Sequence, residues 1–148
     1  MTPADVVTIA RTWLGTPYHH QASVKGVGCD CLGLVRGVYA EAYGSPAEAP
    51  PAYTRDLAEA CGRETLLEAA RRHLVEINKD DYAPGDVVIF RLRPSAMAKH
   101  CGIISVGEAG LVKMIHAFES GPVCEVNLSY WWRRKIAAAF RFPTTQQA

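Results

Sequence analysis

The chain has 148 residues, 49% of them hydrophobic and 21% charged, and its 16 basic and 15 acidic side chains leave a formal net charge of +1. That length suits one compact domain with its own core, residues 1–148, and is too short to expect a second. A near-neutral balance gives no basic excess for a phosphate backbone, and no apolar run reaches the roughly 18 residues of a bilayer span. Neither nucleic-acid binding nor membrane insertion is expected.

Thr2, Pro3 and Asp5 read as a helix start: a capping hydroxyl, a proline at the first helical position and an acid in the first turn. Val6, Ile9, Ala10, Trp13 and Leu14 then fall on one helical stripe, which Gly15 ends. These first residues lack the charged-then-apolar order of a signal peptide and read as part of the fold. "TPYHHQASVKGVG" reads as a loop. A second helix is expected from near Asp30 to Gly44, with Cys31, Leu34, Val35, Val38 and Ala42 along one face. Gly33 and Gly37, one turn apart, suit tight packing of that helix against a sheet.

"SPAEAPPAYT" reads as an extended, exposed connector. Residues 54–76 have a helical pattern that Gly62 breaks into two pieces, and His73 suits a helix C-terminus. From "DYAPGD" onward the period shortens. "VVIFRL", "HCGIISV", "LVKMIHAF" and "CEVNL" read as strands, as does "IAAAFRF" after "YWW" interrupts with a half-buried turn of helix. Helices followed by an antiparallel meander make an α+β fold.

Five cysteines, Cys29, Cys31, Cys61, Cys101 and Cys124, cannot all pair within one chain, which fits thiols used for chemistry or packing. Cys61 and Cys124 read as packing thiols. A thiol attacks as the thiolate, and a helix N-terminus stabilises that charge. Asp30 is a natural N-cap, which places Cys31 in the first turn and leaves Cys29 outside it. His100 and His116 flank a short turn. If the turn holds three residues, 107–109, His100 lies directly opposite His116 and both share a face with Ile104, Val106, Val112 and Met114. A helix-tip thiol beside two histidines suits nucleophilic catalysis without metal or cofactor. A Cys₂His₂ zinc module built from Cys29, Cys31, His100 and His116 is the rival, although its C-x-C spacing is tighter than structural zinc usually takes.

"GTPY…CDCLGLV", "PGDVVIF", "HCGIIS" and "MIHAFES" follow in the order found in the NlpC family of papain-like cell-wall cysteine peptidases, and the resemblance runs from about Arg11 to Phe142. It implies N-terminal helices packed on an antiparallel sheet, with Cys31 as nucleophile, His100 as general base and His116 orienting that base. Tyr18, of the G-x-P-Y motif, would lie beside the nucleophile on the substrate or oxyanion side, next to the capping Asp30. The implied substrate is the peptidoglycan stem peptide, most often its γ-D-glutamate–diaminopimelate bond.

The longer form "GTPYHHQ…GVGCDCLGLVRGVYAEAYG" is similar to the branch found in phage tails and gene transfer agents. That implies synthesis in the cytoplasm, carriage on a tail tip through a tail-hub partner, and action in the cell wall during DNA delivery. "YWWRRK" and the proline-rich connector are the candidate docking segments; a catalytically silent tail protein is the remaining alternative. The chain departs from the family pattern in three places. Leu32 replaces the serine common after the nucleophile, "HHQ" (with His19 and His20) replaces an aromatic-glycine run, and Cys101 stands where a small apolar residue is usual.

Overall fold

The computed structural model describes residues 1–47, 64–118 and 121–143. Helix α1, Pro3–Arg11, opens with the expected capping box: Thr2 Oγ1 accepts from the Asp5 N–H at 3.1 Å, and Asp5 accepts from the Thr2 N–H at 2.9 Å. The helix stops sooner than the apolar stripe suggests. The chain then turns, Trp13 is buried at 3% exposure, and Leu14 points outward at 42%. The reason is a tertiary tie: Gly15 donates to the Val123 carbonyl at 2.9 Å and Thr16 accepts from the Val123 N–H at 2.9 Å.

The segment read as a plain loop contains a short hairpin, β1 (Ser23–Val24) with β2 (Gly28–Cys29). Helix α2, Cys31–Tyr43, follows at once, capped by Asp30 at one end and by left-handed Gly44 at the other. Gly33 and Gly37 do allow close approach, but not to the sheet. A Cβ at Gly33 would run into the Ala22 carbonyl, and one at Gly37 into the Trp13 ring. The first piece of the helical pattern in residues 54–76, with most of the connector and Cys61, lies outside the described residues. Its second piece forms α3, Thr65–His73, and then departs from expectation. Residues Val75–Ile77 are strand β3, because pairing with the last strand of the chain overrides the helical periodicity.

Strands β4 (Val87–Phe90), β5 (His100–Val106), β6 (Val112–His116) and β7 (Cys124–Asn127) form the expected antiparallel meander. The one-turn helix α4 (Tyr130–Arg133) leads into β8 (Ile136–Arg141), which returns between β3 and β4 to give the order β3-β8-β4-β5-β6-β7. One face carries Val87, Ile89, Cys101, Ile103 and Ile115 into a core shared with α1, α2 and α3. The other carries Val88, Phe90, Ile104 and Met114 against Leu128 and Trp132. Burial on both faces explains why these strands read as continuous apolar runs. No helix among the described residues is long and apolar enough to cross a membrane.

The β5–β6 hairpin corrects the expected register. Val106 pairs with Val112 and Ile103 with Ile115, so the connection spans five residues, 107–111, and His116 stands opposite Gly102, not His100. A 3₁₀ turn over Glu108–Gly110 makes up the extra length, with Ala109 at φ 57° and Gly110 at φ 76°, and Gly107 donates to the Leu111 carbonyl at 2.7 Å. The slip is two residues, an even number. Both histidines therefore stay on one face, as a diagonal pair.

Candidate active site

Three elements bring the candidate residues together. Asp30 is buried and uses both oxygens: Oδ1 caps α2 by accepting from the Gly33 N–H at 2.7 Å, and Oδ2 accepts from the Gln21 N–H of the preceding turn at 2.8 Å. These bonds hold the helix tip and the 19–22 turn together. Cys31 follows as the first helical residue, half-buried, its thiol donating to the Lys99 carbonyl at 3.6 Å. Lys99 immediately precedes β5, so Cys31 sits against the start of the strand that carries His100.

The two imidazoles meet directly, His100 Nε2 to His116 Nδ1 at 2.8 Å, with both rings buried. Gly102 makes this diagonal contact possible: a Cβ there would lie 2.6 Å from Met114 Sδ and 3.3 Å from His116 Cβ. Three aromatic side chains enclose the pair. Phe90 stacks on His100 at 5.7 Å, Phe118 meets His100 at 5.1 Å and His116 at 5.8 Å, and Trp132 meets them at 5.6 and 5.2 Å. Burial, and then the neighbouring His100, push His116 down to about 3, so it stays neutral at ordinary pH.

The thiols separate clearly. A hydrogen bond from Cys101, with a further one and a favourable charge from His100, holds Cys31 well below the usual thiol range against the cost of its burial. Cys29 is fully buried in the core, and burial with the adjacent Asp30 and Cys31 pushes it up to about 12. Cys29 is therefore placed as a packing thiol. Its main-chain groups serve the site instead: its N–H donates to the Pro17 carbonyl at 3.0 Å and its carbonyl accepts from His19 N–H at 3.1 Å. That bridge runs Tyr18 alongside the residues just before the helix tip.

The Cys₂His₂ arrangement is not built. Cys29 faces the core, and no group of three or more His, Cys, Asp or Glu among the described residues is arranged to hold a metal ion. Sequence reasoning missed the aromatic enclosure, since nothing in "YWW" says which ring turns inward. It also missed the tie beneath His100. Glu64 accepts from Arg91 at 2.7 Å and from the Ala98 N–H at 2.9 Å, pinning the loop that delivers β5. Cys124, read as packing, pairs across from His116 and is half-buried, with its thiol pushed up by burial.

Residues 15–140 match the NlpC/P60 family. The chain belongs to that family. The fold agrees with solved structures of it. The NlpC/p60 domain of peptidoglycan hydrolase SagA has a TM-score of 0.67 at 20% identity, over 96% of this chain and 100% of that one. An NlpC/P60 family protein from Bacillus cereus gives 0.65 at 20%, over 96% of this chain and 40% of that one. An N-acetylmuramoyl-L-alanine amidase from Bacteroides uniformis gives 0.60 at 14%, over 96% and 99%. At such identities the likeness establishes the fold, that of the NlpC/P60 peptidoglycan hydrolases. Among curated proteins no sequence matches it.

Proposed function

We propose that this NlpC/P60 protein, residues 1–148 acting as one domain, is a cysteine peptidase that hydrolyses amide bonds in peptidoglycan stem peptides. The observation that carries the proposal is the Cys31 thiol at the tip of α2 set against the start of the strand that bears His100, whose ring bonds in turn to His116. A neutral His116 with its proton on Nε2 accepts from His100 Nε2–H and leaves His100 Nδ1 for the thiol. His100 takes the proton, and the Cys31 thiolate attacks the carbonyl carbon. The main-chain N–H at the helix tip and the Tyr18 hydroxyl stabilise the oxyanion. The tetrahedral intermediate collapses to a thioester as His100 protonates the leaving amine. Water, deprotonated by the same imidazole, then releases the acid. His116 holds the ring in its tautomer throughout and transfers no proton to substrate.

The bond we assign is γ-D-glutamate–diaminopimelate, and the site of action is the cell wall reached from a phage or phage-like tail, both on the strength of the motif resemblance. Digestion of purified muropeptides, with products identified by mass, tests the chemistry. The wild type and Cys29→Ala cleave within the stem peptide, and Cys31→Ala does not. A dead Cys29→Ala with an active Cys31→Ala would overturn the assignment. An inert wild type would return the protein to the silent structural reading.

A further inference from the structure

Cys101 is the buried nucleophilic group that this mechanism leaves unused. It lies on β5 opposite Ile89, at 1% exposure, on the sheet face that packs against α2. Cys31 is the first residue of α2, and its Sγ sits 3.6 Å from the carbonyl of Lys99, two residues before Cys101 on the same strand edge. The Cys31 side chain packs against the core cluster that holds Cys101, and each thiol bears on the acidity of the other. A small apolar side chain would fill this position equally well in a site that needed only packing.

We propose that Cys101 is a resolving thiol for Cys31, which captures peroxide oxidation of the nucleophile as an intramolecular Cys31–Cys101 disulfide and so makes the site a reversible oxidation site. The proposal rests on Cys31 being the reactive thiolate. The steps balance. The Cys31 thiolate attacks one oxygen of hydrogen peroxide, the O–O bond breaks, and Cys31 becomes a sulfenic acid with loss of hydroxide. Cys101 sulfur then attacks the Cys31 sulfur, the S–O bond breaks, and the hydroxide that leaves takes the Cys101 proton as water. Each sulfur is oxidised by one electron overall beyond the thiol, and both peroxide oxygens end as water. With Cys31 packed on the cluster that holds Cys101, side-chain rotation and a small shift of the helix tip bring the two sulfurs to bonding distance. Cys29 cannot take this part. It stands two positions before Cys31 in the chain, with its side chain turned into the core.

The test treats reduced wild type, Cys101→Ala and Cys101→Ser with a several-fold molar excess of hydrogen peroxide and maps the thiols by mass under non-reducing conditions. In the wild type the peptides of Cys31 and Cys101 should be joined with loss of two hydrogens. Iodoacetamide labelling of Cys31 should vanish and return fully with dithiothreitol. In both variants Cys31 should pass to sulfinic acid, and dithiothreitol should restore little of its labelling. A disulfide mapped to Cys29–Cys31 or between two chains would overturn the proposal. So would full recovery in the variants, or sulfinic acid in the wild type. Should Cys101→Ala fail to fold, Cys101→Ser and the wild-type map still decide. Muropeptide cleavage by unoxidised wild type is measured in parallel, so that failure of the disulfide and failure of the peptidase reading are separately visible.

Discussion

At 3% exposure, His116 is kept neutral by burial and then by His100, and its pKa falls to about 3. An unfolded histidine titrates near roughly 6.5, so between those values the unfolded chain binds the extra proton and the folded chain does not. Stability from this residue is fully present above the unfolded value and is lost as pH drops towards the folded one. Urea midpoints should therefore fall between pH 7 and pH 4.5, and His116→Asn should flatten that slope. The same variant separates orientation from proton transfer. An amide still accepts from His100, whereas His116→Ala should cost roughly a hundredfold or more in kcat. Equal kcat for the two variants would remove the orienting role. That Cys31, and not Cys29, opens the helix was legible because Asp30 is a strong cap, and a cap fixes which neighbour enters the helix. The Cys31–Cys101 contact was not, since sequence places both residues at element starts without saying that those starts meet.

The helix tip and the histidine face were readable as elements; the distances between them were not. Parity alone put His100 and His116 on one face, and parity survives a two-residue slip. The register itself depended on Ala109 adopting a left-handed conformation, which alanine does not advertise in the way that Asn-Gly does. Strand β3 was hidden for a similar reason: its helical periodicity is real, and only the partner strand β8 decides against it. Helix α4 is the element with the largest unread consequence. It leaves Tyr130 and Trp131 exposed, 69% and 47%, while Trp132 turns in on both imidazoles. If Trp132 keeps water from His116, Trp132→Ala lets the imidazole hydrate and raises its pKa. The acid limb of kcat should then move to higher pH, and Trp132→Phe should restore most of the wild-type profile. A fall in activity without movement of that limb would mean that Trp132 serves packing alone.

At the scale of the molecule, the return of β8 into the centre of the sheet could not be read from chain order, because strand succession alone suggests a simple meander. Its C-terminal residue is locked by a bidentate pair, Arg141 donating to both oxygens of the buried Asp86 at 2.9 and 2.8 Å. If the chain is carried on a tail as proposed, the exposed rings of α4 are the candidate contact. Purified particles should accordingly carry the protein at the tail tip in low, fixed copy number, and its recovery only as free protein would contradict carriage on a tail. Whatever its carrier, the proposed chemistry stands or falls on one thiol. Iodoacetamide at neutral pH and limiting dose should place its label on Cys31 alone, and muropeptide cleavage should disappear in proportion to that label. Label on Cys29, or cleavage that persists once Cys31 is fully alkylated, would contradict the assignment.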